Sequence, residues 1–332
     1  MGESHMKIAL LGTGDISQEF MAAIQKTGCA TVTAVYNRHG DHARDFAARY
    51  GLDGWYDDYD RLLEQDACDT VYVGLPNGLH HGYALRALAS HRHVIIEKPF
   101  AANMDQFADL VAAAQANGVY LMEMDRVLAQ PNFAVIRDHL ADIGPVRLVS
   151  LNFCKYSRKY DALLAGQVGN VFTTAMAGGA LYDLGVYGLH LATGLFGMPM
   201  AVTYRADRYR GGVDLTGCLI MEYDGFMCVL MQSKNSLGEM HTVIQGEKGT
   251  LMSNSPASVL QDVELWQGRQ RSSIGAPVDL FGTAYTLQAI ADIVSRHDDD
   301  AYRRRLEHSR QVMNLLCQAR ASAGIVFEAD SH

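Results

Sequence analysis

Short apolar runs alternate with amphipathic segments over the first 125 residues of the chain. The runs KIALLG, TVTAVYN, TVYVGLP, HVIIEKP and VYLMEMD are apolar along most of their length rather than at every second position. Segments with helical spacing separate them, at 17–27, 42–50, 59–64, 82–89 and 104–117. Continuous apolar strands that alternate with helices are typical of a parallel sheet covered on both faces. The pattern therefore predicts a doubly wound, Rossmann-type α/β domain over residues 6–125.

The pattern changes beyond about residue 145. Its apolar runs are longer and rich in β-branched and aromatic residues, and turn pairs such as Asp224-Gly225 separate them. Such runs predict an open, largely antiparallel sheet, and two helices follow, around 281–296 and 302–322. We therefore expect an α+β domain for substrate binding and oligomerisation over residues 126–330, with its C-terminal helix free to pack back on the first domain. Residues 1–5 lack the features of a secretion signal, and we interpret them as an expression scar.

Composition narrows the classes of function. The 332 residues are 48% hydrophobic and 20% charged, with a formal net charge of −9. Lysine and arginine are scattered, so no basic patch for nucleic acid is expected. No apolar run approaches the roughly 20 residues that span a bilayer, and the six cysteines lack C-x-x-C spacing. We expect reduced thiols and a cytoplasmic protein with neither nucleic-acid nor membrane partners.

A glycine-rich segment, GTGDIS, follows the first apolar run. Gly12 and Gly14 fill the first two positions of G-x-G-x-x-G, and Ser17 fills the third. The first glycine permits a tight turn, and the second lets the backbone approach a pyrophosphate at the positive end of the next helix. Cofactor-binding residues are therefore predicted at Gly12, Thr13, Gly14, Asp15 and Ile16. The alternative is a turn that is only structural.

The end of the second strand bears on the choice of cofactor. NAD enzymes usually place a carboxylate there, about 20 residues beyond the glycines, to bind the ribose hydroxyls. This chain has Asn37 and Arg38 instead, and its next carboxylate is Asp41. Because an arginine can pair with a 2′-phosphate through two hydrogen bonds, NADP is favoured. The alternative is that Arg38 is a solvated cation and that NAD is accepted as well.

Two more strands end in polar residues. One ends at Leu75-Pro76-Asn77 and the next at Glu97-Lys98-Pro99. Since ligands of parallel sheets bind at the carboxyl ends of strands, both tips should border one crevice. A lysine at such a tip is costly to bury alone, so an anionic cofactor, a carboxylate or a polar substrate should face Lys98. A simple ion pair between Glu97 and Lys98 is the alternative.

A third polar set lies on a glycine-rich helix, GGALYDLGVYGLH, at 178–190. Asp183, Tyr187 and His190 are spaced by four and three residues, which places them on one face of an α-helix. A plain core helix does not carry three hydrogen-bonding side chains along one stripe. Neither His80-His81 nor the histidines at 91 and 93 have the further ligands that a metal site needs.

The motifs GTGDIS, LPNGLHH, IEKPF and GGALYDLGVYGLH, in this order and at these separations, resemble the Gfo/Idh/MocA family. This group includes glucose-fructose oxidoreductase, inositol dehydrogenase and dihydrodiol dehydrogenase, and the resemblance covers Met6 to about Phe327. It implies a Rossmann domain that binds a nicotinamide dinucleotide, and a second domain whose open sheet lines the substrate site with one face. Sugar, polyol or related carbonyl substrates are implied, as is a homodimer or homotetramer formed through the other face.

The same resemblance implies roles for individual residues. Leu75, Pro76 and Asn77 would lie along the cofactor, and Glu97 near its nicotinamide ribose. His80 is ambiguous, because it opens the next helix and either packs there or contacts the cofactor. Tyr187 stands where many members carry a histidine that acts as acid or base.

A free tyrosine has a pKa of about 10 and is a poor base near neutrality. A lysine cation nearby favours the phenolate, so Lys98 and Tyr187 are predicted as a proton-transfer pair. Asp183 would orient Lys98 or bind a substrate hydroxyl, and His190 is the second candidate for the acid or base.

Together these features predict an NADP-dependent oxidoreductase that moves a hydride between nicotinamide and a sugar, polyol or small carbonyl compound. Two alternatives stay open. One is a nicotinamide-binding sensor without turnover. The other is an enzyme that retains its cofactor tightly and uses it in an internal redox cycle.

Overall fold

The computed structural model describes residues 5–65 and 68–331, so the first four positions of the predicted expression scar lie outside it. By its contacts the chain divides into two compact units. The first comprises Met1–Met124 and Thr283–Ser309, and the second comprises Asp125–Gly282 and Arg310–His332. The sequence predicted a single division at residue 125, whereas the contacts also assign 283–309 to the first unit.

The first unit contains a six-stranded, wholly parallel sheet. Its strands are β1 (Met6–Leu11), β2 (Ala30–Tyr36), β3 (Gly54–Tyr56), β4 (Thr70–Val73), β5 (His93–Glu97) and β6 (Leu121–Met124), in the order β3-β2-β1-β4-β5-β6. The helices between them are α1 (Asp15–Thr27), α2 (Gly40–Tyr50), α3 (Tyr59–Glu64), α4 (His80–Ala89) and α5 (Met104–Asn117). The predicted doubly wound sheet is confirmed. Only β3 was missed, because three residues are too few to form a pattern.

The central strands explain the continuous apolar runs. Residues 8–11 of β1, 71–73 of β4 and 94–96 of β5 are all buried. A strand covered by helices on both faces has no polar side, so its sequence does not alternate. Strand order reverses between β1 and β4, and a crevice at the carboxyl ends of the strands opens at such a reversal.

The second unit contains an eight-stranded sheet. Its strands are β7 (Val146–Cys154), β8 (Ala201–Arg208), β9 (Asp214–Tyr223), β10 (Phe226–Ser233), β11 (His241–Gly246), β12 (Thr250–Ser253), β13 (Glu264–Gln267) and β14 (Gln270–Ser273), in the order β14-β13-β12-β11-β7-β10-β9-β8. Every neighbouring pair is antiparallel except β7 and β10. The predicted largely antiparallel sheet is therefore confirmed.

Helices complete the second half of the chain. They are α6 (Pro131–Asp138), α7 (Tyr160–Leu164), α8 (Val186–Phe196), α9 (Gly282–Arg296) and α10 (Asp299–Ser322), and a π-helical turn (Leu181–Gly185) runs directly into α8. The division between the two units falls at the start of α9 and again within α10.

Helix α8 covers one face of the second sheet at close range. A Cβ placed on Gly188 would lie 2.5 Å from Leu230 Cδ1, so the helix lies close enough to β10 that any larger residue would displace the Leu230 side chain. Leu230 is buried, whereas Met227 on the same strand is 51% exposed, because successive side chains point to opposite faces. We call the side that carries Met227, Val229 and Met231 the open face.

Three findings apply to residues 5–65 and 68–331. No helix there is both long and apolar enough to cross a membrane. No group of three or more histidine, cysteine, aspartate or glutamate side chains is arranged to hold a metal ion. The six cysteines are all present as free thiols.

Candidate active site

The glycine loop of the first unit lies at the reversal of strand order. Gly12, directly after β1, has φ of +100°, and a Cβ there would lie 2.9 Å from the carbonyl oxygen of Gly74, directly after β4. Both the backbone angle and the close approach require glycine. The tips of β1 and β4 are thereby held against each other, with Thr13 next along the loop.

Helix α1 begins at this loop without a side-chain cap. Gly14 is the N-cap residue, and no side chain there hydrogen-bonds to the backbone amides of the first turn. That turn begins with Asp15 and Ile16. No atom lies within 4 Å of a Cβ placed on Gly14, so the backbone there is open. Amide groups at a helix N-terminus that no side chain satisfies are suited to bind an anion. These residues therefore fit the pyrophosphate of a dinucleotide.

The end of β2 is connected to the same loop. Asn37 donates from Nδ2 to Thr13 Oγ1 at 2.7 Å and accepts at Oδ1 from the His39 amide at 3.0 Å. Arg38 is exposed, and its Nε donates to His39 Nε2 at 3.2 Å. The structure thus brings Asn37 to the glycine loop, with the exposed Arg38 next to it.

Glu97, at the tip of β5, is a buried carboxylate held by hydrogen bonds. It is 4% exposed, accepts from the Tyr72 hydroxyl at 2.8 Å and accepts from the Lys98 amide at 3.2 Å. Tyr72 in turn stacks on Phe20 of α1, with ring centroids 3.8 Å apart. The tyrosine hydroxyl was not identified from the sequence as a partner of Glu97. The Lys98-Pro99 peptide bond is cis.

His80 contacts the backbone just beyond the ends of both β4 and β5. Its ring nitrogens lie 2.8 Å from the Leu75 carbonyl oxygen and 3.0 Å from the Pro99 carbonyl oxygen. Burial lowers the pKa of His80, and a neutral ring can donate to only one of these carbonyls. These two contacts correspond to the packing role predicted for His80. A contact between His80 and the cofactor stays a prediction. Pro76 and Asn77 lead into α4 through a short 3-10 turn.

The paired glycines of the second unit fix the start of the polar helix. Gly179 has φ of +112°, and a Cβ there would overlap Asp214 Oδ1. A Cβ on Gly178 would overlap the carbonyl oxygen of Val171. Both positions therefore exclude a side chain at the entry to the π-helical turn.

Asp214 is the anchor for this entry. Its buried carboxylate accepts from the Leu181 amide and from the Tyr204 hydroxyl, each at 2.6 Å. Burial raises the pKa of Asp214, and these two hydrogen bonds oppose the rise. No local pattern singles out Asp214, because its hydrogen-bond partners are brought to it by the tertiary fold.

The three predicted catalytic residues of the second unit lie on two kinds of helix rather than one. Asp183 lies in the π-helical turn, whereas Tyr187 and His190 lie in α8. The predicted helix is therefore present, but its first turn, which carries Asp183, is π-helical rather than α-helical. That the three side chains share one helical face stays a prediction. The Asp183 side chain is 34% exposed, Tyr187 is 6% exposed and His190 is fully buried. The ring of Tyr187 lies 5.9 Å from that of Phe153 on β7.

The structure adds a charged residue that the sequence analysis missed. Lys234, directly after β10, forms an ion pair with the carboxylate of Asp183. Its side chain is only 4% exposed. A lysine that ends an apolar strand is the signal that pointed to Lys98, and the segment MQSK repeats it at 231–234.

Comparison with known families matches both halves of the chain. Residues 6–124 match the model of an oxidoreductase family with an NAD-binding Rossmann fold. Residues 136–252 match the model of the GFO/IDH/MocA C-terminal domain. The chain belongs to the Gfo/Idh/MocA oxidoreductase family. The resemblance drawn from the four motifs is thus confirmed, and so is the enzyme class.

The chain is similar to curated and solved proteins over three quarters of its length or more. It is 33% identical over 328 residues to the scyllo-inositol 2-dehydrogenase (NADP(+)) IolU of Bacillus subtilis, covering 98% of this chain and 99% of that one. It is 30% identical over 265 residues to the trans-1,2-dihydrobenzene-1,2-diol dehydrogenase of Xenopus laevis, covering 76% and 78%. The 3-ketoreductase KijD10 of Actinomadura kijaniata, solved in complex with TDP-benzene and NADP, matches with a TM-score of 0.83 at 25% identity over 98% and 99% of the two chains.

Proposed function

We propose that this protein interconverts a hydroxyl group and a carbonyl group of a sugar, polyol or related small molecule, with NADP as the cofactor. The observation that carries the proposal is the uncapped N-terminus of α1, opened by Gly12 and Gly14 at the reversal of strand order. The names of the relatives support the same chemistry, since they include an inositol dehydrogenase with NADP and a ketoreductase bound to NADP.

The preference for NADP over NAD rests on the end of β2. Asn37 stands where a carboxylate would repel a 2′-phosphate, and its side chain is engaged by Thr13 and by the His39 amide. The exposed guanidinium of Arg38 is available for a charge-assisted, bidentate contact with such a phosphate.

Proton transfer is assigned to Tyr187, with Lys98 as its partner. A bound nicotinamide ring would supply the hydride acceptor for oxidation and the hydride donor for reduction. Tyr187 would take the proton of the substrate hydroxyl during oxidation and return it during reduction. The Lys98 cation would stabilise the phenolate and the reacting oxygen. His190, one turn further along α8, is the second candidate for this proton transfer.

We also propose that the chain forms a homodimer or homotetramer through the open face of the second sheet. The register of β9 and β10 sets Ile220 opposite Val229, next to the exposed Met227. Exposed apolar side chains that lie next to each other on one side of a sheet are often found at protein interfaces.

A dehydrogenase screen tests the function. Sugars, polyols and diketones are offered with NADP and NAD in parallel, and the formation or loss of reduced cofactor is followed by absorbance. We expect turnover of at least one polyol or its ketone, with NADP preferred. A preference for NAD would overturn the interpretation of Asn37 and Arg38.

The same screen separates the two alternatives. Tight NADP binding without turnover across the panel would identify a sensor. Cofactor that survives purification, seen in the absorbance spectrum, would identify the enzyme with an internal redox cycle.

A further inference from the structure

The ion pair between Lys234 and Asp183 involves one of the residues proposed to carry the chemistry, Asp183. Lys234 is nearly inaccessible, while a third of the Asp183 side chain is exposed. The ammonium group therefore contacts the carboxylate from the buried side. A buried lysine is costly unless it is paired and hydrogen-bonded, so this contact fixes both side chains.

The backbone of Lys234 is fixed on both sides. Its amide donates to the Leu215 carbonyl at 2.7 Å, and its carbonyl accepts from the Ser157 amide at 2.8 Å. The residues on either side of Lys234 are held as well. Ser233 Oγ contacts Thr216 Oγ1 at 2.7 Å and donates to Asn235 Oδ1 at 2.9 Å. The ammonium group is thus carried on a rigid strand end and not on a mobile loop.

The surroundings of the ammonium group favour a single position for it. The ring of Phe172 lies 5.9 Å from Lys234 Nζ and offers a cation-π contact. The Lys234 charge also acts on Asp214, where it opposes the rise that burial gives the pKa of that carboxyl. Asp214 in turn holds the first residue of the π-helical turn that contains Asp183. One cation therefore links the anchor of the turn with the carboxylate that the turn presents.

We infer that Lys234 is a positioning residue of the oxidoreductase site, which holds the Asp183 carboxylate as a fixed acceptor for a substrate hydroxyl. This inference deepens the proposed function and rests on it. A carboxylate whose charge is already balanced by an ammonium group suits a neutral hydroxylated substrate, because it has no need of a cationic partner. Lys234 acts on the substrate only through Asp183.

The test is a double-mutant cycle of Lys234→Met and Asp183→Asn, with Lys248→Met on the exposed β11-β12 hairpin as the control. Activity is measured with NADP and the best polyol of the screen, and thermal unfolding is measured without substrate. Lys234→Met should lower kcat/KM by about tenfold or more, while the dissociation constant of NADP changes by less than about threefold. Added to Asp183→Asn, the same substitution should change kcat/KM by less than about twofold. The control should match the parent.

Thermal unfolding gives a readout that needs no substrate. Asp183→Asn leaves the buried ammonium group without this carboxylate, so adding Lys234→Met should raise the melting temperature of that variant. This comparison also stands if Lys234→Met alone does not fold. If kcat/KM falls by the same factor in both backgrounds, or the second substitution lowers the melting temperature further, the inference is wrong. A loss of the proposed function itself would be recognised separately, by the absence of turnover in the parent protein.

Discussion

Replacement of Gly179 by alanine tests how the candidate site is built. Gly179 precedes the π-helical turn with φ of +112°, and an alanine Cβ would overlap Asp214 Oδ1. The backbone angle alone costs about 1–3 kcal/mol for a residue other than glycine. Displacing the carboxylate would also break its bonds to the Leu181 amide and the Tyr204 hydroxyl, at about 1.5–3 kcal/mol each. The sum is about 4–9 kcal/mol, against a total stability of about 5–15 kcal/mol for a typical protein.

The matched control is Gly197→Ala at the end of α8. Gly197 also has positive φ, at +74°, but no atom lies within 4 Å of its Cβ position, so only the backbone cost of about 1–3 kcal/mol applies. Both variants are made with Trp55→Phe, so that Trp266 on β13 reports urea unfolding of the second unit. Gly179→Ala should lose at least about 3 kcal/mol more than Gly197→Ala, and turnover should fall with it. Equal losses in the two variants would refute the role given to Asp214.

Three further predictions concern substitutions in other parts of the molecule. Arg38→Ala should lower the ratio of kcat/KM for NADP to that for NAD by about tenfold or more, and an unchanged ratio would show that Arg38 does not select the cofactor. His80 has a lowered pKa in the folded state, so the unfolded chain binds this proton first and stability falls as pH drops below about 6.5. His80→Gln should remove up to about 1.4 kcal/mol per pH unit from that slope, measured by urea unfolding with Trp55 fluorescence, and an unchanged slope would contradict the assignment. Val229→Glu on the open face should reduce the molar mass measured by light scattering, whereas Leu237→Glu, in an exposed loop, should not; equal masses would place the interface elsewhere.

The first unit could be predicted largely from the sequence because its signals are local. The strands β1, β2, β4, β5 and β6 are continuous apolar runs, and the turn at Gly12 needs a residue that tolerates positive φ. The bonds within each helix join residues a few positions apart, and a strand that helices cover on both faces is recognisable from its own continuous apolar run. Strand β3 was not predicted because it has three residues and lies at the edge of the sheet, next to β2.

The second unit was less predictable because its site depends on contacts between distant positions. Asp214 bonds to an amide 33 residues earlier in the chain, and Lys234 pairs with a carboxylate 51 residues earlier. No spacing rule relates such positions, since the sheet brings them together. The requirement for glycine at position 179 has the same origin, because a Cβ there would overlap Asp214. A lysine at the end of β10 was a usable signal, and the rule applied to Lys98 would have found Lys234.

The central claim is that Tyr187 transfers the proton, supported by Lys98, and a steady-state comparison tests it most directly. Turnover of the best polyol is measured for Tyr187→Phe, Lys98→Ala, His190→Gln and the control Tyr223→Phe, which removes a hydroxyl bonded to the Gly197 carbonyl. NADP binding is measured in parallel by fluorescence. We predict that kcat falls by about 100-fold or more in the first two variants, with NADP binding within about threefold of the parent and the control unaffected. Near-parental kcat in both Tyr187→Phe and Lys98→Ala would contradict the account, and a loss confined to His190→Gln would move the proton transfer to His190.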